Sequence, residues 1–188
     1  MFYDYFQLGW KHIIDWNALD HILFVMVLTA SYTIKDWRQV LLLATSFTIG
    51  HSVTLALSVS NILTVPLRVI EILIPVTIIV AAIFNLFQTK SVTNKGGRLY
   101  VLALFFGLVH GLGFASGLKS LLGPGNKIVL PLLGFNVGLE AGQVVVIAAV
   151  LIAGMLAFKV LKANRRDWIV FISGAACSVA FTMVAARW

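Results

Sequence analysis

Six long apolar stretches, near residues 18–34, 38–60, 65–88, 98–120, 129–159 and 167–187, take up most of the chain. A bilayer core about 30 Å thick is crossed by roughly 20 helical residues. Within it every backbone N–H and C=O must find its partner inside the protein, and for single runs of this length a helix provides that. Charged residues make up 11% of the 188. Soluble domains carry roughly 25%, so there is too little charge here to coat a water-facing surface. The expected fold is all-α: a polytopic transmembrane helical bundle of about six spans, seven at most, in one integral membrane domain over 1–188. The lipid bilayer is its first partner.

The charges give direction. Nine of the 14 basic residues (Lys35, Arg38, Lys90, Lys95, Arg98, Lys159, Lys162, Arg165 and Arg166) fall on one side of this arrangement. Lys11, Arg68, Lys119, Lys127 and Arg187 fall on the other. The basic excess marks the cytoplasmic side. A multi-pass protein of the bacterial inner (plasma) membrane with both termini outside is therefore expected. The net charge of +7 lies in loops and does not point to nucleic acid. The N-terminus lacks a basic start followed by an apolar run and a small-residue cleavage site, so no cleaved leader is expected. Its aromatic residues and Lys11 read as an amphipathic segment at the lipid headgroups. Cys177 stands alone, which excludes an internal disulfide and a thiolate cluster.

Breakers mark further features. Pro66 suits the first turn of the third span. Pro75 lies inside that span and frees a carbonyl one turn earlier, near Glu71. Pro131 sits near the start of the fifth span. Gly123-Pro124-Gly125-Asn126 reads as a turn and Thr93–Gly97 as a flexible loop.

All four histidines, His12, His21, His51 and His110, fall in or beside the apolar runs, with Asp20, Glu71 and Glu140. A charged side chain at mid-bilayer costs at least about 2.5–3.5 kcal/mol. These groups are therefore expected to face one another or a wet cavity. At ~1.5 Å per residue, Glu71 lies ~9 Å from the outer end of its span, Asn136 ~10 Å, His51 and His110 ~13–15 Å and Glu140 ~16 Å, with Asp20 and His21 nearer the surface. Groups on five spans thus converge on the outer half of the membrane. Asn136, Glu140 and Gln143 follow i, i+4, i+7 and share one face. Gly134, Gly138 and Gly142 form a neighbouring stripe that allows close helix approach. Ser52 and the other hydroxyls of the second span either bond back to their own helix or line a polar path. Phe47-x-x-x-His51 and Phe106-x-x-x-His110 lie at similar depth in two spans of the same direction, as in a parallel repeat.

Each polar group also has a purely structural reading. A transmembrane histidine can be an interhelical hydrogen-bond partner, Glu140 a protonated one, and Glu71 can pair with Arg68 along its helix. Imidazoles with a few carboxylates suit a divalent transition-metal ion (nickel, cobalt, zinc or copper). The expected ligand set is His21, His51, His110, Glu140 and Asp20, with Glu71, Asn136, Gln143, His12 and Ser52 as supporting or pathway residues.

These residues sit in blocks that resemble the HupE/UreJ family of small polytopic membrane proteins, predicted nickel/cobalt permeases. The blocks are Gly9-x-x-His12-Ile13 with Asp20-His21-x-Leu23-Phe24, then Phe47–Ala56, Glu71, Phe106–Ala115, and Phe135-Asn136-x-Gly138-x-Glu140-x-Gly142-Gln143. The resemblance implies that Asp20, His21, His51, His110 and Glu140 bind or conduct the metal. The stretch from His12 to Asp20 is longer than the family's usual spacing, which assigns His12 to the pathway. The expected function is a permease for nickel- or cobalt-like cations, its intramembrane site open to the outer face. No nucleotide-binding motif is present to drive it. Two alternatives are a membrane-embedded zinc-dependent hydrolase and a metal-binding membrane protein that does not transport; against the hydrolase, no His-Glu-x-x-His helix occurs.

Overall fold

The computed structural model describes residues 2–16, 19–87, 97–122 and 128–188. The turn expected at 123–126, most of the loop expected at 93–97, and Lys90, Lys95 and Lys127 lie outside the described residues. Within them the chain is all helical: α1 (Phe2–Ile14), α2 (Leu19–Ala30), a 3₁₀ turn (Ile34–Asp36), α3 (Trp37–Val59), α4 (Leu67–Phe87), α5 (Arg98–Leu122), α6 (Val129–Lys159) and α7 (Arg165–Arg187). Five of these are long and apolar enough to cross a membrane, and α1 with α2, bent by 69°, forms either a broken sixth span or a re-entrant pair. The chain is a lipid-embedded, multi-pass helical protein.

The start of the chain differs from the sequence expectation. The first span, expected at 18–34, is the 12-residue α2, about 18 Å long and too short to cross. The N-terminal segment, expected at the headgroups, is helix α1 packed along α6. The glycine stripe of α6 is its seat. A Cβ on Gly134 would meet Phe2, one on Gly138 would meet the Phe6 carbonyl, and one on Gly142 would meet Trp10 and Ile13. From the other side, a Cβ on Gly9 would run into the backbone of Phe135 and Leu139. Residue numbers rise together along this contact, so α1 and α6 run parallel. Where backbones approach this closely, only glycine fits. With α1 ahead of it along α6, α2 carries His21 to the level of the bundle's other histidines.

A second parallel pair, α3 with α5, is built the same way. Gly50 packs on Leu104 and Leu108, Gly107 on Phe47, and Gly111 on His51 and Thr54. The two Phe-x-x-x-His blocks therefore meet across one helix contact. Helices α4 and α7 run antiparallel. At one end Arg187 Nη1 donates to the Glu71 carbonyl at 2.7 Å and Arg68 Nη2 to the Trp188 carbonyl at 3.0 Å. At the other, Arg166 donates to the Leu86 carbonyl. The Arg187 bond satisfies the carbonyl that Pro75, lacking an N–H, leaves open. The termini lie at one end of the bundle. Lys35, Arg38, Lys159, Lys162, Arg165 and Arg166 lie at the opposite end, where Arg165 Nη2 also holds the Ser31 carbonyl at 2.6 Å.

Candidate metal centre

The four histidines, from α1, α2, α3 and α5, lie in one cluster: His12, His21 and His51 face one another, and His110 joins through His21. Ring centroids are 4.4 Å apart for His12–His21, 6.1 Å for His12–His51, 6.0 Å for His21–His51 and 5.1 Å for His21–His110. One ligand nitrogen from each of His12, His21 and His51 lies within 4.8 Å of the others. Metal–imidazole bonds of about 2.1 Å put the ligand nitrogens of one ion roughly 3.4–3.6 Å apart in tetrahedral or trigonal geometry. A cation would draw the three rings together by up to roughly 1.4 Å. His51 is fully buried, and His110 and His21 nearly so, at 1% and 3% exposure.

Ring polarity is fixed on two of the four. Asp20 Oδ1 accepts from the His21 backbone N–H at 3.0 Å and from ring Nδ1 at 3.1 Å. The proton thus sits on Nδ1 and the lone pair on Nε2. The Thr77 hydroxyl has a single proton, given to the Ile74 carbonyl at 2.6 Å. At 3.2 Å from His110 Nε2 it can then only accept, which leaves the His110 lone pair on Nδ1. His21 Nε2 and His110 Nδ1 are buried and have no partner, like His12 Nε2 and both ring nitrogens of His51. Buried polar atoms are nearly always hydrogen-bonded. Five orphaned imidazole nitrogens in one cluster are an exception; His51, when neutral, keeps a proton on one of its two, so the cluster offers at most four lone pairs to an electrophile.

Aromatic rings wall the centre on two sides. Phe114 and Phe135 stack at 4.8 Å, with Phe114 4.3 Å from His12 and Phe135 5.9 Å from His51. On the other side Phe24 packs on Phe47, Phe106 and His110 at 5.0, 5.4 and 5.3 Å. These walls keep the imidazoles dry, which strengthens any charge interaction made there.

The remaining residues singled out from the sequence take other places. Glu140 Oε1 accepts from Thr45 Oγ1 at 2.5 Å, and Gln143 Oε1 from Thr48 Oγ1 at 3.0 Å, so the polar face of α6 meets the hydroxyls of α3 outside the three-imidazole group. Asn136 Oδ1 is buried without a partner. Ser52 bonds back to the Thr48 carbonyl at 2.6 Å, which is the self-bonding of a helical hydroxyl. Arg68 donates to Trp188, and Glu71 is half-buried. One feature escaped the sequence reading: Thr77 carried no signal beyond a hydroxyl in an apolar span. His12, expected in the pathway, lies in the group with His21 and His51.

Helices long enough to cross a bilayer, closed around a buried four-histidine cluster, define a polytopic membrane protein with an intramembrane imidazole centre. The family described as HupE / UreJ protein matches residues 1–188, and the chain belongs to it. No curated protein and no solved structure matches the chain.

Proposed function

We propose that the protein is a permease for a divalent transition-metal cation of the nickel or cobalt kind, which it carries as substrate across a bacterial inner membrane. The observation behind this reading is the set of buried imidazole nitrogens with lone pairs and no donor. Nitrogen ligands with one nearby carboxylate suit nickel, cobalt, zinc or copper better than magnesium or calcium. Association of the HupE/UreJ family with nickel and cobalt transport favours the first two. The basic end of the bundle is placed in the cytoplasm, with both termini outside.

Asp20, 13% exposed, is more open than His21, His51 and His110 and meets the hydrated cation first. Its negative charge offsets part of the desolvation cost and holds His21 with Nε2 aimed inward. His12, His21 and His51 then replace water, and His110 offers the next lone pair. Neutral imidazole ligands throughout hold the ion without the deep trap that several carboxylates would make. Further along, Gln143–Thr48 and Glu140–Thr45 continue the polar route between α3 and α6. Protons compete for the same lone pairs, so uptake falls as the medium is acidified.

The test is uptake of radioactive nickel and cobalt into proteoliposomes holding wild type, His51→Ala or His110→Ala, each first shown to be monodisperse. Wild type should accumulate the ion and both variants should fall to the level of empty vesicles. Equal accumulation in all three would remove the imidazoles from the path. Tight stoichiometric metal without flux would favour a binding protein, and zinc-dependent turnover a hydrolase.

A further inference from the structure

A second concavity, unconnected with the histidines, opens at the basic end of the bundle. Its volume is about 340 Å³, within the usual range of ~300–1,000 Å³ for small-molecule sites. Leu151, Met155, Phe158 and Lys159 form one wall, and Tyr32 and Lys35, from the segment between α2 and α3, stand opposite. The four α6 residues follow i, i+4, i+7, i+8 and so share a single helical stripe. Along that stripe the apolar residues lie deeper in the bundle and the lysine lies in the last turn. The cavity therefore has a hydrocarbon floor and a cationic rim. Neither Lys35 nor Lys159 has an ion-pair partner among the described residues. The nearby Asp36 carboxylate is committed to the Thr33 N–H and hydroxyl, at 2.9 and 2.7 Å. Arg165 is committed to the Ser31 carbonyl. Two ammonium groups at the membrane boundary thus stay available to an anion.

We propose that this slot holds one anionic phospholipid, with acyl carbons along Leu151, Met155 and Phe158 and the phosphate between Lys35 and Lys159. A soluble anion would use the rim and leave the apolar floor bare. A zwitterionic lipid carries its own amine, which competes with the lysines for its phosphate. The proposal is independent of what the histidines bind.

Native mass spectrometry of the full chain, titrated with phosphatidylglycerol or phosphatidylcholine, tests it. Wild type should retain one phosphatidylglycerol in preference to phosphatidylcholine. The Lys35→Gln/Lys159→Gln double variant should lose that preference by roughly 30-fold, the combined effect of two basic residues at an anionic surface. Lys35→Arg/Lys159→Arg should keep it. So should Lys162→Gln, which changes charge at the same end of the bundle but does not line the slot. The proposal is overturned if the double glutamine variant holds phosphatidylglycerol as wild type does, or if Lys162→Gln costs as much as either slot lysine. It is equally overturned if glycerol phosphate, which has no acyl chains, competes as well as the lipid.

Discussion

At the residue scale, each lone pair in the cluster depends on a neighbour. Asp20 and Thr77 do not need to touch a cation to govern its binding, because they decide which nitrogen of His21 and His110 is free. Losing a group that orients a metal-binding histidine typically costs 10–100-fold in affinity. Asp20→Asn and Thr77→Val should each weaken nickel or cobalt binding by about that factor, measured by calorimetric titration in detergent. Thr77→Ser, which keeps the hydroxyl, should stay close to wild type. Undiminished affinity in both Asp20→Asn and Thr77→Val would mean that tautomer control has no part in the site. That His21, His51 and His110 come together was legible in the sequence, since ionisable groups in apolar runs are rare and costly and must face one another. Thr77 was not, because a hydroxyl in a membrane helix more often bonds to its own backbone, as Ser52 does.

At the element scale, glycine placement decides which helices touch. Gly138 and Gly174 make a controlled comparison. Alanine at an open helical position should stabilise by roughly 0.5–1 kcal/mol through lower backbone entropy in the unfolded chain. Gly174 has nothing within 4 Å of a would-be Cβ, so Gly174→Ala should raise thermal stability in detergent. At Gly138 the new methyl would strike the Phe6 carbonyl. Gly138→Ala should push α1 off its seat, lower the melting temperature and weaken metal binding, because His12 rides on α1. If Gly138→Ala behaves like Gly174→Ala, the α1–α6 seat is not as described. The sequence revealed the stripe at Gly134, Gly138 and Gly142 as a packing surface but not its partner. α1 is short and partly charged, which reads locally as a headgroup segment, and its docking on α6 is a long-range pairing without a local signature. Pro75 was more transparent. The open carbonyl it implied near Glu71 is the one Arg187 holds.

At the scale of the whole molecule, the architecture is two parallel glycine-seated pairs, α1–α6 and α3–α5, with α2 and the antiparallel α4–α7 pair closing the bundle. Its effect is to bring imidazoles from four helices into one aromatic-walled cluster. Sequence periodicity predicted the bundle, since apolar runs are a strong signal. It placed His21 nearer the surface than His51 and His110, whereas the three share one level, and no local feature of residues 19–30 reveals that placement. The central claim is that His12, His21, His51 and His110 form one cation-binding centre. X-ray absorption spectroscopy of the purified protein loaded with nickel or cobalt, beside His51→Ala, tests it most directly. The account predicts at least three imidazole ligands on the bound ion in wild type, and fewer ligands or lost loading in the variant. An ion surrounded only by oxygen, or the same spectrum and loading in His51→Ala, would contradict it.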